Sequence, residues 1–321
     1  MPSINLRSII KCLWLIHSLV VITGCKTFVP NLQVEKSLLL NDFPSGSSLE
    51  YFHERLYLGG DDASKLLILD TNYNRTDSIT LFKSEQPRIP KNIKADLEAS
   101  AIISFNNQPN LLLIGSASLP VREKVILIPL NDMPVLNVQS TTTFFNRLRN
   151  AGIKEVNVEG ATAAGKLLIM SNRGNLSNPV NHFFFTDLNF WLHQQAAAID
   201  TAIIILPHTK AFAGISGLAY IEETDLLLFS ASTELTGNSF DDGTIGSSYI
   251  GWIKNISHQT GKKKISADGF INLTNENKIF AKEKIESICV SHSQGNVHTI
   301  YLVSDNDNGT SRLFKVKLSI E

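Results

Sequence analysis

Val158-Glu159-Gly160-Ala161, followed by the apolar run at 167–175 (LLIMSNRGN), decides the fold, because versions of this pair return along the chain. The other copies open with Ser48-Leu49-Glu50-Tyr51, Leu97-Glu98-Ala99-Ser100, Ile215-Ser216-Gly217-Leu218 and Ile285-Glu286-Ser287-Ile288. Each is followed by a second apolar run ending in small polar residues, at 56–62, 111–118, 226–234 and 300–307. From Glu50 to Glu98 is 48 residues, from Glu98 to Glu159 61, on to Ser216 57, and from there to Glu286 70. Steps of about 40–50 residues carrying several short strands read as β-propeller blades, and longer steps as blades with loop insertions. Solenoid repeats are shorter and stricter.

Short β-branched or aromatic runs bounded by turn residues supply a third strand to each blade: 66–70, 125–130, 182–187, 203–206, 248–254 and 313–318. Helical composition is confined to 143–151 and 190–201, and neither disturbs an all-β reading. The expected architecture is a propeller of five visible blades, with a sixth possible in the long spacers. The last blade lacks an outer strand, and residues 32–40 are expected to supply it and close the ring, which removes free sheet edges.

Ahead of the repeats, Arg7 and Lys11 precede the apolar run 12–22, and Ile22-Thr23-Gly24-Cys25 follows. That is the order of a secretory signal, and the run is shorter than the ~20 apolar residues a spanning helix needs. The four residues ending in Cys25 resemble the lipobox of bacterial lipoproteins, in which the cysteine is acylated. The resulting organisation is a signal at 1–24, a lipidated tether at 25–31 and one propeller domain at 32–321. The expected location is the bacterial cell envelope, on the outer membrane or the periplasmic face, with the chain a membrane-anchored monomer. Cys12 would leave with the signal and Cys25 would carry lipid. Cys289, within Ile288-Cys289-Val290, then remains as a buried strand thiol.

A net charge of −1 gives no basic surface for nucleic acid. The one basic cluster, Lys262-Lys263-Lys264, reads as a solvated hairpin tip. Histidines show no paired zinc spacing, and no phosphate or dinucleotide glycine loop is present. Gly214-Ile215-Ser216-Gly217-Leu218 lacks a nucleophile elbow's second glycine and opens a strand. The acidic run from Asp305 has Val316 where a calcium-binding EF-hand places its glutamate, and reads as a turn.

In a propeller, equivalent positions of the inner strands face one another across the channel. Glu50, Glu98, Glu159 and Glu286 therefore read as a partial carboxylate ring, which either raises its members' pKa values or recruits a cation. Ca²⁺ takes six to eight oxygens, and Asp61, Asn172 and Asp305 at the ends of the second strands offer more. The alternative is structural: the glutamates cap backbone N–H groups or pair with arginine, for which Arg173 is available.

Glu159-Gly160-Ala161 with Ser171-Asn172, and Ile285-Glu286-Ser287-Ile288 with Leu302-Val303-Ser304-Asp305, resemble a phrase of phytase-like, esterase-like and gluconolactonase-like propellers. The resemblance implies an all-β propeller with a divalent cation, often Ca²⁺, in the channel, polarising a lactone, ester or phosphate oxygen. It assigns the glutamate role to Glu159 and Glu286 and the polar strand end to Asn172 and Asp305. Glu159, Glu286 and, apart from the resemblance, Arg173 are the catalytic candidates. The fourth copy departs from it, with Ser216-Gly217 and Ser230-Ala231-Ser232.

Two functions follow. The first is a lipid-anchored binding or scaffold propeller with an acidic channel, presenting its loops, around 236–246, to a small molecule, a glycan or a protein. The second is a metal-dependent hydrolase of small lactones, esters or phosphoesters.

Overall fold

Each repeat lays down a strand beside the ring axis and then works outward. The computed structural model describes residues 30–86, 88–131, 135–238, 243–306 and 309–320. Its inner strands are Gly46–Phe52, Leu97–Phe105, Val158–Ala164, Ala213–Ile221 and Lys284–Gln294. They contact one another in chain order and the fifth returns to the first, so the ring has five blades.

The second strands are Arg55–Gly60, Gln108–Gly115, Leu167–Asn172, Leu226–Leu235 and Val297–Asp305, each antiparallel to its inner strand. The third strands are Lys65–Asp70, Lys124–Pro129, Asn181–Asp187, Thr244–Lys254 and Ser311–Ser319. The fourth strands of blades 1 to 4 are Arg75–Thr80, Asn137–Ser140, Asp200–Ile205 and Gly269–Asn272. Residues 203–206, read from the sequence as a third strand, lie instead in and just past the fourth strand of blade 3. The short strand Lys264–Ser266 pairs parallel to that strand, so Lys264 belongs to a sheet edge and not to a hairpin tip.

Blade 5 is completed by Asn31–Leu40, antiparallel to Ser311–Ser319 and opposite Ser319 at one end and Ser311 at the other. The strand expected to close the ring does so. At its Leu40 end the Ser311 hydroxyl accepts from Gly46 N at 2.8 Å and donates to Phe43 O at 2.9 Å, fastening the last blade to the first.

A blade is covered on both faces, so its middle strand reads as an unbroken apolar run instead of an alternation. Leu111 and Leu113 enter the core between blades 1 and 2, while Leu112 and Ile114 enter the core between blades 2 and 3. Leu227 and Phe229 likewise face blade 3, and Leu226 and Leu228 face blade 5. Each fully buried side chain of this kind contributes about 1.5–3 kcal/mol by leaving water. The helix Thr142–Asn150 fills the wedge between blades 2 and 3 with Phe144, Phe145 and Leu148. The 190–201 segment forms one short turn, Phe190–Leu192, before the strand starting at Asp200.

Among the described residues no helix is long and apolar enough to cross a membrane. Residues 1–24, with Cys12, and the acylation candidate Cys25 lie outside the described residues, as do 239–242 of the blade 4 loop and Asp307-Asn308.

Candidate functional site

All five inner strands carry a β-bulge near the channel mouth. The register skips between Gly46 and Ser48, Leu97 and Ala99, Val158 and Gly160, Ile215 and Leu218, and Ile285 and Ser287. A bulge frees one residue from the ladder and re-aims its side chain. The freed residues are Ser47, Glu98, Glu159, Ser216 with Gly217, and Glu286. Where the residue is serine it ties blades together: Ser47 Oγ donates to Leu97 O at 3.1 Å and Ser216 Oγ to Ile285 O at 2.9 Å. Where it is glutamate the carboxylate turns into the channel mouth.

Glu50 is therefore not a fourth member of that ring, because Ser47 holds the equivalent position in blade 1. Glu50 pairs with Tyr57, farther down the strand, and does not line the mouth. Its carboxyl is enclosed by protein, and Ser100 Oγ donates to it at 3.1 Å. Burial raises its pKa to about 8, a shift that the Ser100 hydrogen bond only partly opposes.

Crowding explains the glycine after Glu159. A Cβ on Gly160 would lie 2.0 Å from the backbone oxygen of Ser216 in the next blade, and one on Gly217 would lie 2.6 Å from Ser287 Cα. Ser171 Oγ donates to that same Ser216 oxygen at 2.8 Å.

The mouth encloses a cavity of about 80 Å³. Among the described residues seven carboxylates line it (Asp61, Asp96, Glu98, Glu159, Glu234, Glu286, Asp305), with five cations: Lys91, Lys94, Arg122, Arg173 and Lys284. The second strands end here, and equivalent ends carry opposite charges: Asp61, Arg173 and Asp305 in blades 1, 3 and 5.

One half of the mouth is organised by Arg173 and Lys284. Arg173 lies 3.2 Å from Glu159, 3.0 Å from Glu234 and 3.8 Å from Glu286, and also donates to Ser232 Oγ. Lys284 lies 3.2 Å from Glu234 and 2.9 Å from Glu286. Asn157 Nδ2 donates to Glu159 Oε1 at 2.6 Å. Burial raises Glu159 to about 7 even against the pull of Arg173. Burial also pushes Glu234 upward, but Lys284 and Arg173 outweigh it and hold that carboxyl below its ordinary value.

The other half contains Asp61, Asp96 and Glu98, whose carboxylate oxygens come within 4.8 Å of one another. The Lys94 ammonium pairs with Asp61 and lies 2.7 Å from Asp96 Oδ1. Asp96 Oδ2 accepts from Arg122 at 2.6 Å and from the Ser116 hydroxyl. Burial raises Asp61 to about 6. Burial, then the charges of Asp96 and Asp61, push Glu98 well above the usual carboxylate range. Glu98 makes no hydrogen bond or ion pair among the described residues.

Asn172 has other work. Its Oδ1 accepts from Asn157 N at 2.7 Å and its Nδ2 donates to Glu155 O at 3.2 Å, fixing the approach to the inner strand of blade 3. Asp305 is buried and lines the mouth.

The resemblance implies a divalent cation, which asks for six to eight oxygens free to coordinate. The residues do not fit one. Both Asp96 oxygens are engaged, Glu159 and Glu286 face Arg173 and Lys284, and the Asn172 amide is committed to backbone.

Sequence reasoning placed Glu98, Glu159, Glu286, Arg173, Asp61 and Asp305 together, and the mouth brings them together. It missed Lys94, Asp96, Arg122, Glu234 and Lys284. Asp96 and Lys284 immediately precede the repeated phrases, Glu234 closes a second run, and that flanking position was the available signal.

No curated protein matches the sequence. Solved structures show the fold. Glutaminyl cyclase from Myxococcus xanthus is 11% identical, with a TM-score of 0.54 over 91% of this chain and 98% of that one. A member of the duf4221 family from Bacteroides vulgatus is 11% identical, with a TM-score of 0.42 over 91% of this chain and 99% of that one. Streptogramin B lyase is 9% identical, with a TM-score of 0.39 over 91% and 98%. A family model matches residues 42–318, nearly the whole ring, and the chain belongs to that family of unknown function, DUF6929.

Proposed function

We propose that this protein is an envelope-anchored binding module whose channel mouth receives the ammonium or guanidinium head of a small ligand. Glu98 carries this reading: among the described residues it is a carboxylate without a hydrogen bond or ion pair, open to a cavity lined by seven carboxylates and five cations. At about 80 Å³ the cavity suits a charged head group and not a whole drug-sized molecule, for which pockets run to about 300 Å³ and more. Lys94 supports the same preference, since an ammonium already sits between Asp61 and Asp96. The rest of the ligand would lie on the rim, where Thr236 and Asn238 contribute. The anchor rests on the Ile22-Thr23-Gly24-Cys25 sequence alone.

Calorimetric titration with methylamine, ethanolamine, putrescine and glucosamine, using N-acetylglucosamine as the uncharged control, tests the site. Saturable amine binding that Glu98→Gln weakens at least about tenfold, the worth of one charge-assisted hydrogen bond, supports the reading. Equal binding by Glu98→Gln, or no amine binding at all, rejects it. Loss of membrane association and of lipid labelling in Cys25→Ser tests the anchor separately.

A further inference from the structure

We infer that the Lys94 ammonium is the resident cation of the Asp61–Asp96–Glu98 group, a tethered positive charge standing where a divalent ion would otherwise sit, so that the native mouth takes up no divalent metal there. The claim concerns a different ion from the amine ligand above and stands or falls independently of it.

Three observations carry it. Lys94 is held in place: it is 7% exposed, and its backbone N–H donates to Pro90 O at 3.0 Å, which closes a turn and aims the side chain inward. Its Nζ contacts one oxygen of Asp61 and lies 2.7 Å from Asp96 Oδ1, bridging two of the three carboxylates as a metal would. The remaining oxygens of the group are nearly spent, because Asp96 Oδ2 serves Arg122 and Ser116, leaving Asp61 Oδ1 and the Glu98 carboxylate. A divalent ion entering beside Lys94 would meet an ammonium at contact distance, with few donors against the six to eight it requires.

The opposite half repeats the device with different residues. Arg173 and Lys284 sit among Glu159, Glu234 and Glu286 as Lys94 and Arg122 sit among Asp61 and Asp96. The chain thus sets cations of its own among the channel carboxylates on both sides of the ring, with Glu98 left outside these pairs among the described residues. Removing the tethered charge should recreate the vacancy. Three carboxylates whose oxygens lie within 4.8 Å of one another then face each other, with Arg122 still paired to Asp96.

The experiment compares wild type, Lys94→Met and Lys94→Gln, each checked for folding by circular dichroism. Each is titrated with Ca²⁺ and with luminescent Tb³⁺, and analysed for bound metal. The wild type should hold no stoichiometric metal and melt identically with and without chelator. The Lys94 variants should bind one ion at least about tenfold more tightly than wild type, as affinity follows the net ligand charge. A further Asp61→Asn change should remove that gain. One tightly bound Ca²⁺ per wild-type chain, with a melt that drops on chelation, overturns the inference. So does a folded Lys94→Gln protein with no gain in Tb³⁺ affinity. Lys94→Gln keeps a hydrogen-bond donor for the two aspartates. If both variants fail to fold, the wild-type metal analysis still decides.

Discussion

Ser100 on the inner strand of blade 2 donates to Glu50 on the inner strand of blade 1 across 3.1 Å, and among the described residues that is the only hydrogen bond to the Glu50 side chain. A carboxylate with one neutral donor and no cation is costly to ionise in an enclosed site. Its pKa is accordingly raised to about 8, well above the unfolded value near 4.5. The folded state therefore binds the proton more tightly than the unfolded chain does. Stability from this group is full below about pH 4.5 and is lost as pH rises through about 8. Glu50→Gln removes the titration while keeping an acceptor for Ser100. It should be nearly neutral at about pH 5 and stabilising by a few kcal/mol above about pH 8, read from denaturant midpoints across pH.

Arg173 holds three glutamates from three blades, so its loss is felt around the ring. Arg173→Met leaves Glu159, Glu234 and Glu286 with Lys284 as their remaining cation in that half of the mouth. Removing one partner of a buried ion pair costs about 3–5 kcal/mol. The melting temperature should drop at neutral pH and recover partly as the pH is lowered and the uncompensated carboxyls take up protons. A pH-independent loss would mean that Arg173 acts through packing alone.

Gly160→Ala tests the close approach of the inner strands. The added methyl would sit 2.0 Å from the Ser216 carbonyl, a backbone atom that cannot rotate away. Overpacking of this kind costs about 1–3 kcal/mol, and a backbone neighbour places this site at the upper end. Ser171→Ala removes only the hydrogen bond to that carbonyl and should cost about 1 kcal/mol. Equal losses in the two variants would show that the spacing between blades 3 and 4 is more tolerant than the contact implies.

Amine binding at the mouth should report on Glu98. Burial and the neighbouring aspartates hold this carboxyl well above its ordinary pKa, so the free protein keeps it protonated further up the pH scale than an exposed glutamate. A cationic ligand selects the ionised form. Affinity should then rise with pH until Glu98 is ionised in the free protein, and binding below that point should release a proton. Calorimetry in buffers of different ionisation enthalpy measures the proton directly, and Glu98→Gln should abolish both effects.

The blade count was legible because the phrase around Glu98, Glu159 and Glu286 marks a bulge, and a bulge at the same place in each inner strand fixes the repeat. Blade 1 read out of step for a physical reason. Its bulge residue is Ser47, which bonds the next blade and carries no acidic signature, so the nearby Glu50 took the place of the missing glutamate in the pattern. The cations were harder to see. Lys94 and Lys284 lie just outside the phrases, and nothing in their spacing says that a strand entering the channel will turn them onto carboxylates of other blades. A row of acidic residues thus reads equally as a metal cradle or as carboxylates paired with arginine, and the folded chain sets positive charges of its own among them.

The strand that closes the ring also gives it a direction. Residue 31 enters at the end remote from the mouth, opposite Ser319, and Leu40 arrives beside Ser311, at the same end of blade 5 as the mouth residue Asp305. Five residues lie between position 25 and position 31, a reach of at most about 22 Å, while the ten-residue strand extends about 33 Å farther. With lipid on Cys25, the base of the ring would rest near the bilayer and the charged opening would look outward into the aqueous compartment. Ligands would then reach it from solution, and thiol labelling of Asn238→Cys against Asn296→Cys in membranes would read that orientation.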